Sequence, residues 1–440
     1  MTDRRDVWIT GIGVITAIGT GVDAFRAGLR SGCSPVKRID RFDPSPFRSQ
    51  VAAQVDDFDP IAWLPPKTAR QVDRFSQFGL VAGQLALEDA RLRPGEGGAA
   101  ARERIGIYLG SALGGIAYAE SQHESYLDRG IKAVAPNLAL AVFGGAAPAN
   151  LGIALDVRGP ILSTANSCAS GAVAIGEAAK AIRSGEIDAA VAGGAEVPLS
   201  PLAFGAFDII RALSDRHNDD PTHASRPFDG DRDGFVMGEG IAFLVLEAED
   251  VARARGAEPY ARVLGYGATS DANHMVQPRA DGSEAARAAT IALDDAGVDP
   301  AAIDWVSAHA SSTPLGDIAE ARAISRALGE RAATVPVSGT KALYGHPLGA
   351  SGAIEAAIAA LGIRDGWVPA SVNLVEPEAD VAELLPGLLR DGRPGRYDRI
   401  LSTSFGFGGL NAALVFGAVD GGSGPGEHTG VESSDTTPET

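Results

Sequence analysis

One cysteine, two histidines and one lysine stand at turns where a side chain could react. Cys168 lies in "ILSTANSCASGAVAIGEAAKAIRSG" (161–185). "ILSTANS" reads as a strand and "ASGAVAIGEAAKAIRSG" as a helix of small residues ending near Gly185. The cysteine falls at their joint, and tight strand-to-helix turns present nucleophiles. Unpaired N–H groups and the positive dipole end of the helix should lower the thiol pKa. Each unit of lowering is worth about 1.4 kcal/mol. Small neighbours, Ala169 to Ala172, leave room for a substrate. Most lone cysteines are inert core residues, so the partners decide. His309 in "SAHASSTPLGD" and His346 in "SGTKALYGHPLGASG" each occupy a Gly/Ser/Thr-rich loop after a strand-like run. Lys341 precedes His346 in the same loop and is one of five lysines in an arginine-rich chain. "SFGFGGLN" (404–411) is a Gly-rich turn whose backbone N–H groups could form half of an oxyanion hole. Together they suit nucleophilic catalysis with a developing oxyanion to stabilise.

The elements that must position these residues alternate between strands and Ala-rich helices. Strand-like runs cover 7–13, 104–111, 189–197 and 241–248, then 260–267, 304–310, 335–341, 399–406 and 412–419. Helical patterns cover 284–297 and 317–329. Such alternation predicts an α/β protein with largely buried sheets. Each set opens on a Gly-rich strand and closes on a long hairpin-like strand, which suggests two similar halves meeting near 250–259. A length of 440 residues suits two domain-sized units.

Composition narrows the function classes. Hydrophobic residues make up 45% and charged residues 21%, as in ordinary soluble domains. A net charge of −18 argues against general nucleic-acid binding. Two cysteines, Cys33 and Cys168, exclude a disulfide framework and favour a reduced compartment, the cytoplasm. The N-terminus enters a strand at once and does not read as a signal peptide. The most apolar window, 138–155, is broken by Gly144, Gly145, Pro148 and Asn150, so it reads as core or subunit interface rather than a membrane span. "GIGVITAIG" (11–19) fails as a dinucleotide fingerprint because Thr16 holds the third glycine place. "DGDRDGFVMGEG" (229–240) fails as a calcium loop because Gly240 stands where the closing acid belongs. No Cys/His spacing matches a zinc site. The stretch 420–440 is polar and Gly/Ser/Thr/Pro-rich, and reads as a disordered acidic tail.

"SCASG", "AHASSTPLGD", "GTKALYGHPLGASGA", "SFGFGGLN" and "ASRPFDGDRDGFVMGEG" together resemble the signature set of the β-ketoacyl-acyl-carrier-protein synthases. The likeness is greatest to elongating type II enzymes and type II polyketide ketosynthases, and it runs from about Val7 to Phe416. It implies a thiolase-like five-layer αβαβα sandwich, with one half at 1–255, a second at 256–419 and the tail at 420–440. It also implies a Cys–His–His triad of Cys168, His309 and His346, with Lys341 beside it. Asp317, Glu320 and Glu355 become the structural acids around the lysine and histidines. The oxyanion hole maps onto the amides of Cys168 and Phe407, with Phe407 as an acyl gate. Ser311 and Thr313 would line the phosphopantetheine path with Phe405 nearby, and Leu113 would limit acyl-chain length. Lys67, Arg70 and Arg211 would receive an acidic carrier protein.

The resemblance implies decarboxylative condensation of an acyl-enzyme with a malonyl-carrier, without metal or redox cofactor, in a homodimer. A heterodimer with a non-catalytic chain-length partner stays open. A non-catalytic subunit is disfavoured because the nucleophile is present. A degradative thiolase would need a second catalytic cysteine, and the polar surroundings of Cys33 do not look like such a turn. An initiating synthase would carry Asn where His346 stands. Three departures set this chain apart: Ala310-Ser311 where Gly-Thr is common, Leu410 for Thr, and Ser167 for Ala. The Ala310 methyl is expected near the pantetheine path, and a specialised paralogue becomes plausible.

Overall fold

The computed structural model describes residues 4–96 and 100–419, so the tail at 420–440 lies outside the described residues. One mixed sheet runs through the molecule. Its strand order is Val337–Gly339, Trp305–Ala308, Arg399–Gly406, Leu410–Gly417, Ala261–Ser270, Val7–Thr16, Gly240–Ala248, Ala189–Glu196, Ile105–Gly110 and Ile161–Thr164. The order is a duplication. Outward from the middle, each half places its first, fifth, fourth, second and third strand in chain order. The pairings repeat too: antiparallel, antiparallel, parallel, parallel in each half. The halves join through the short pairing of Trp8 with Arg262 and Ile9 with Ala261.

Strand alternation sorts side chains into three cores. Ala190, Ala192, Leu244 and Leu246 face inward with Ala412, Leu414 and Phe416 of the other half. Helices Ser170–Arg183 and Ser351–Asp365 fill this central layer. The alternate residues Val191, Phe243 and Val245 face helix Arg74–Asp89. Val306, Leu401, Ala413 and Val415 face helices Ser283–Ala296 and Pro314–Leu328. These are the five layers of an αβαβα sandwich, as the sequence led us to expect.

The central layer explains the small residues after Cys168. Its two helices lie side by side between the two halves of the sheet. A Cβ on Gly352 would come within 2.7 Å of Ser404 Oγ and 2.9 Å of the Ala172 methyl. Only glycine permits that approach. Both helices begin at the middle of the molecule, and each follows the third strand of its own half. The duplication thus brings Cys168 and His346 to one place from opposite halves.

The apolar window 138–155 forms helices Leu138–Ala141 and Ala146–Leu155. In the single chain Leu140, Phe143 and Ile153 are exposed, beside the edge strand Ile161–Thr164. Among the described residues no helix is long and apolar enough to cross a membrane.

Candidate active site

Cys168 sits in the turn Ser167–Ala169 that leads into helix Ser170–Arg183. The turn is strained and tied down: Ser167 has φ 51°, in a region that costs a non-glycine residue about 1–3 kcal/mol. Ser170 Oγ donates to the Ser167 carbonyl at 2.6 Å and accepts the Asn166 N–H at 2.8 Å. The Ser167 hydroxyl lies 3.8 Å from the Cys168 sulfur. Cys168 is buried at the base of a cavity of about 360 Å³.

The histidines approach from the other half. His346 Nε2 lies 3.1 Å from Cys168 Sγ, and its Nδ1 lies 2.9 Å from Ser351 Oγ. Its main chain is pinned by the N–H of Gly238 and the carbonyl of Val236, and Phe235 packs edge-on to its ring at 5.0 Å. The His309 ring stands 5.3 Å from the His346 ring, nearly perpendicular. Lys341 Nζ lies 3.4 Å from His309 Nδ1 and also donates to the His309 carbonyl and to Glu355 Oε1. Ammonium can only donate, so His309 Nδ1 accepts and its Nε2 carries the proton. A thiol proton shared with His346 Nε2 requires the opposite tautomer there, with Nδ1–H donating to Ser351. The two imidazoles therefore offer one N–H donor and one base.

Burial decides the ionisation. It pushes the Cys168 thiol up to about 11, outweighing the lowering by Ser167, Lys341 and the Phe407 amide. The lowered thiol pKa expected from the helix terminus is thus corrected. The resting group is a thiol, and its proton must be taken by a base. Burial, the Lys341 cation and His346 hold His309 well below the usual imidazole range; burial and Lys341 do the same to His346. Both are neutral near pH 7. Burial also raises Glu355, opposed by the Lys341 ammonium.

The three acids do different work. Glu355 holds Lys341 directly. Glu320 does not join that pair: it accepts the His309 N–H at 2.7 Å, the Ala310 N–H at 2.6 Å and the Thr403 hydroxyl at 2.7 Å. Asp317 lies further out and accepts the N–H groups of Phe228 and Ser312, tying the 224–240 segment to the His309 loop. The near-miss calcium loop spends its acids similarly. Asp229 accepts the N–H groups of Asp231, Val375 and Glu376, and Asp233 those of Asp215 and Arg216.

The Phe405–Gly409 turn closes over the cysteine. A Cβ on Gly406 would lie 2.9 Å from the Cys168 amide nitrogen, so glycine permits the contact. The Phe407 amide works to lower the Cys168 thiol pKa, and the Phe407 ring stacks on Phe207 at 6.2 Å. Phe405, Ser311, Thr313 and Arg211 line the same cavity. Lys67 and Arg70 are exposed on the short helix Pro66–Gln71, away from the cavity wall. Leu113 does not line the open cavity; it packs in the apolar cluster that holds Cys168 and Phe407. Ala310 departs from expectation. It has φ 36° and is fully buried, with its methyl directed at Gly339 and away from the cavity.

Sequence reading missed Ser351, Phe207 and Glu196. A buried carboxylate closing the apolar strand "AAVAGGAE" was the available signal for Glu196. Cys168, His309 and His346 offer ligand atoms within 4.8 Å of one another, a set that could also take a thiophilic metal ion.

The chain matches the β-ketoacyl synthase N-terminal domain over residues 4–252 and the β-ketoacyl synthase C-terminal domain over 260–375. It is 41% identical to the 3-oxoacyl-[acyl-carrier-protein] synthase 2 of Vibrio cholerae, over 94% of this chain and 99% of that protein. A solved complex of a type II polyketide acyl-carrier protein with its ketosynthase bound to the hexaketide aligns with TM-score 0.84 and 31% identity, over 95% of this chain and 100% of that one. The ishigamide ketosynthase/chain length factor aligns with TM-score 0.86 and 34% identity, over 94% and 100%. With both domains matched in order across a duplicated αβαβα core, this chain belongs to the β-ketoacyl synthase family.

Proposed function

We propose that this enzyme joins an acyl group to a malonyl unit, both delivered on acyl carrier protein, by decarboxylative Claisen condensation. The observation that carries the reading is the contact of His346 Nε2 with Cys168 Sγ at 3.1 Å, beside an N–H turn and a second, oppositely polarised histidine. In the first half-reaction His346 takes the thiol proton and Cys168 attacks the acyl thioester. The amides of Cys168 and Phe407 hold the oxyanion, and the carrier thiol leaves with the proton. In the second, the malonyl carboxylate leaves as CO₂ and its electron pair moves onto the thioester oxygen. His309 Nε2–H meets that charge, with His346 beside it. The enolate carbon then attacks the acyl-cysteine and expels the Cys168 thiolate, which takes up one proton from water to restore the resting thiol. Each donor at a developing oxyanion is worth about 10²–10³ in rate.

Lys341 and Glu355 keep His309 in its donor tautomer, and Glu320 fixes the His309 main chain. Asp317 braces the loop. Ser311 and Thr313 border the arm's path past Phe405; Leu113 lies outside the open cavity, in the apolar cluster that holds Cys168, and is the wall met by an acyl chain that enters that cluster. Lys67, Arg70 and Arg211 offer positive charge to an acidic carrier on an otherwise acidic protein. The chemistry needs no metal or redox cofactor, and a reduced cytoplasm suits its thiol. We take 1–255 and 256–419 as the two structural units. The exposed edge strand Ile161–Thr164, with Leu140, Phe143 and Ile153 beside it, suits pairing with a second chain of the same fold. That chain is either a copy or a chain-length partner, as in the ishigamide complex.

The test is intact mass of carrier-bound products after supplying a range of acyl-carrier primers with malonyl-carrier. A β-keto product two carbons longer than its primer is expected. Malonyl consumption with no extended product from any primer would overturn the reading.

A further inference from the structure

Glu196 ends the strand Ala189–Glu196 and is completely enclosed. Its two oxygens are fully engaged. Oε1 accepts from Ser111 Oγ at 2.9 Å and from the Leu113 N–H at 3.0 Å. Oε2 accepts from the Ala112 N–H at 2.7 Å and from the Gly349 N–H at 2.9 Å.

These four donors come from two places. Three belong to the turn after strand Ile105–Gly110, which carries Leu113. The fourth belongs to the turn Leu348–Ala350, between His346 and the helix Ser351–Asp365. That second turn is strained, since Leu348 has φ 35°. Leu113 and Leu348 meet in the same apolar cluster as Cys168 and Phe407. One carboxylate therefore ties the wall beside the cysteine to the loop that carries His346.

We propose that Glu196 is a positioning residue that sets the acyl-chain length limit, by holding the Leu113 turn rigid against the His346 loop. The chemistry requires a carboxylate there. Four donors converge, and an ionised carboxyl offers acceptors on both oxygens. Glutamine has one acceptor oxygen, and its NH₂ would face at least one of the backbone N–H groups. A buried N–H left without a partner costs about 1–3 kcal/mol, which the turn can avoid by moving. A turn that moves no longer stops the acyl chain at a fixed depth.

This inference rests on the reading of Leu113 as the wall, and the experiment separates the two. Acylation of Cys168 is followed with saturated acyl-pantetheine thioesters from butyryl to palmitoyl. The readout is the rate on the first primer beyond the parent's cut-off, divided by the rate on butyryl. Leu113→Phe should lower that ratio; if it does not, Leu113 is no wall. Glu196→Gln should raise it about tenfold, since one methylene in an apolar pocket counts for about 10–200-fold. Ser111→Ala removes the hydroxyl that donates to Glu196 and accepts the Gly114 N–H of the same turn, so it too should raise the ratio, which keeps the test usable should Glu196→Gln fold poorly. A uniform fall at every length in both variants, while Leu113→Phe still shifts the ratio, would overturn the role of Glu196 and leave the wall standing.

Discussion

Cys168→Ala should take up no acyl group and yield no condensed product, a loss of at least about 10⁴-fold, as when a nucleophile is removed elsewhere. The sulfur faces the cavity with the His346 imidazole against it, so its loss removes little packing. The melting temperature should stay nearly unchanged. Decarboxylation should part company with condensation. His309, with His346 beside it, is the group that meets the enolate charge, and neither it nor the Lys341–Glu355 pair that holds it is touched by the substitution. CO₂ release from malonyl-carrier should therefore persist within about tenfold of the parent. Parallel assays of released CO₂ and extended product measure the split. Retained condensation would remove Cys168 from the centre of the mechanism.

The histidines should divide the reaction unequally. His346→Ala removes the base that lies 3.1 Å from a thiol held at about pKa 11. Acylation should fall by about 10²–10⁴, with decarboxylation falling too. His309→Ala removes the donor held by Lys341 and leaves the Cys168–His346 contact in place. It should acylate within about tenfold of the parent and lose about 10²–10³ in decarboxylation. The pH profile carries a matching signature. His346 acts as a base when neutral, and burial with Lys341 lowers its pKa. Lowering keeps the base neutral to lower pH, so the acylation rate should be flat from pH 8 to about 6.5 and fall only below the ordinary imidazole range. Removing the cation in Lys341→Met should move that acid limb upward. An acid limb above pH 7 in the parent, or equal acylation losses in both histidine variants, would reverse these roles.

How much of this was legible depends on what kind of signal each residue leaves. Cys168, His309, Lys341 and His346 each follow a strand closely, so their neighbours announce them. The duplication was legible as a pattern of strands. The strand order that makes it explicit was not, because pairing between distant segments leaves no local trace. The helix Ser351–Asp365 went unseen for a physical reason. It lies in the central layer, buried on every side along most of its length, so it carries no amphipathic period. Glu196 serves through bonds to segments far away in sequence, and spacing cannot reveal that. The thiol was misjudged because a helix terminus is visible in a sequence while the depth of burial is not. Ala310 was misjudged because a backbone at φ 36° turns its methyl away from the cavity, and residue type does not encode that direction.

The central claim is that Cys168 carries the acyl group between two carriers. The most direct measurement is to load the protein with an acyl-carrier primer, isolate the acyl-enzyme, map the adduct by peptide mass spectrometry, and then add malonyl-carrier. The account predicts a single acyl group on Cys168 that disappears as an equal amount of extended β-keto product forms. An adduct on Cys33, or an acyl group on Cys168 that stays in place while product accumulates, would contradict it.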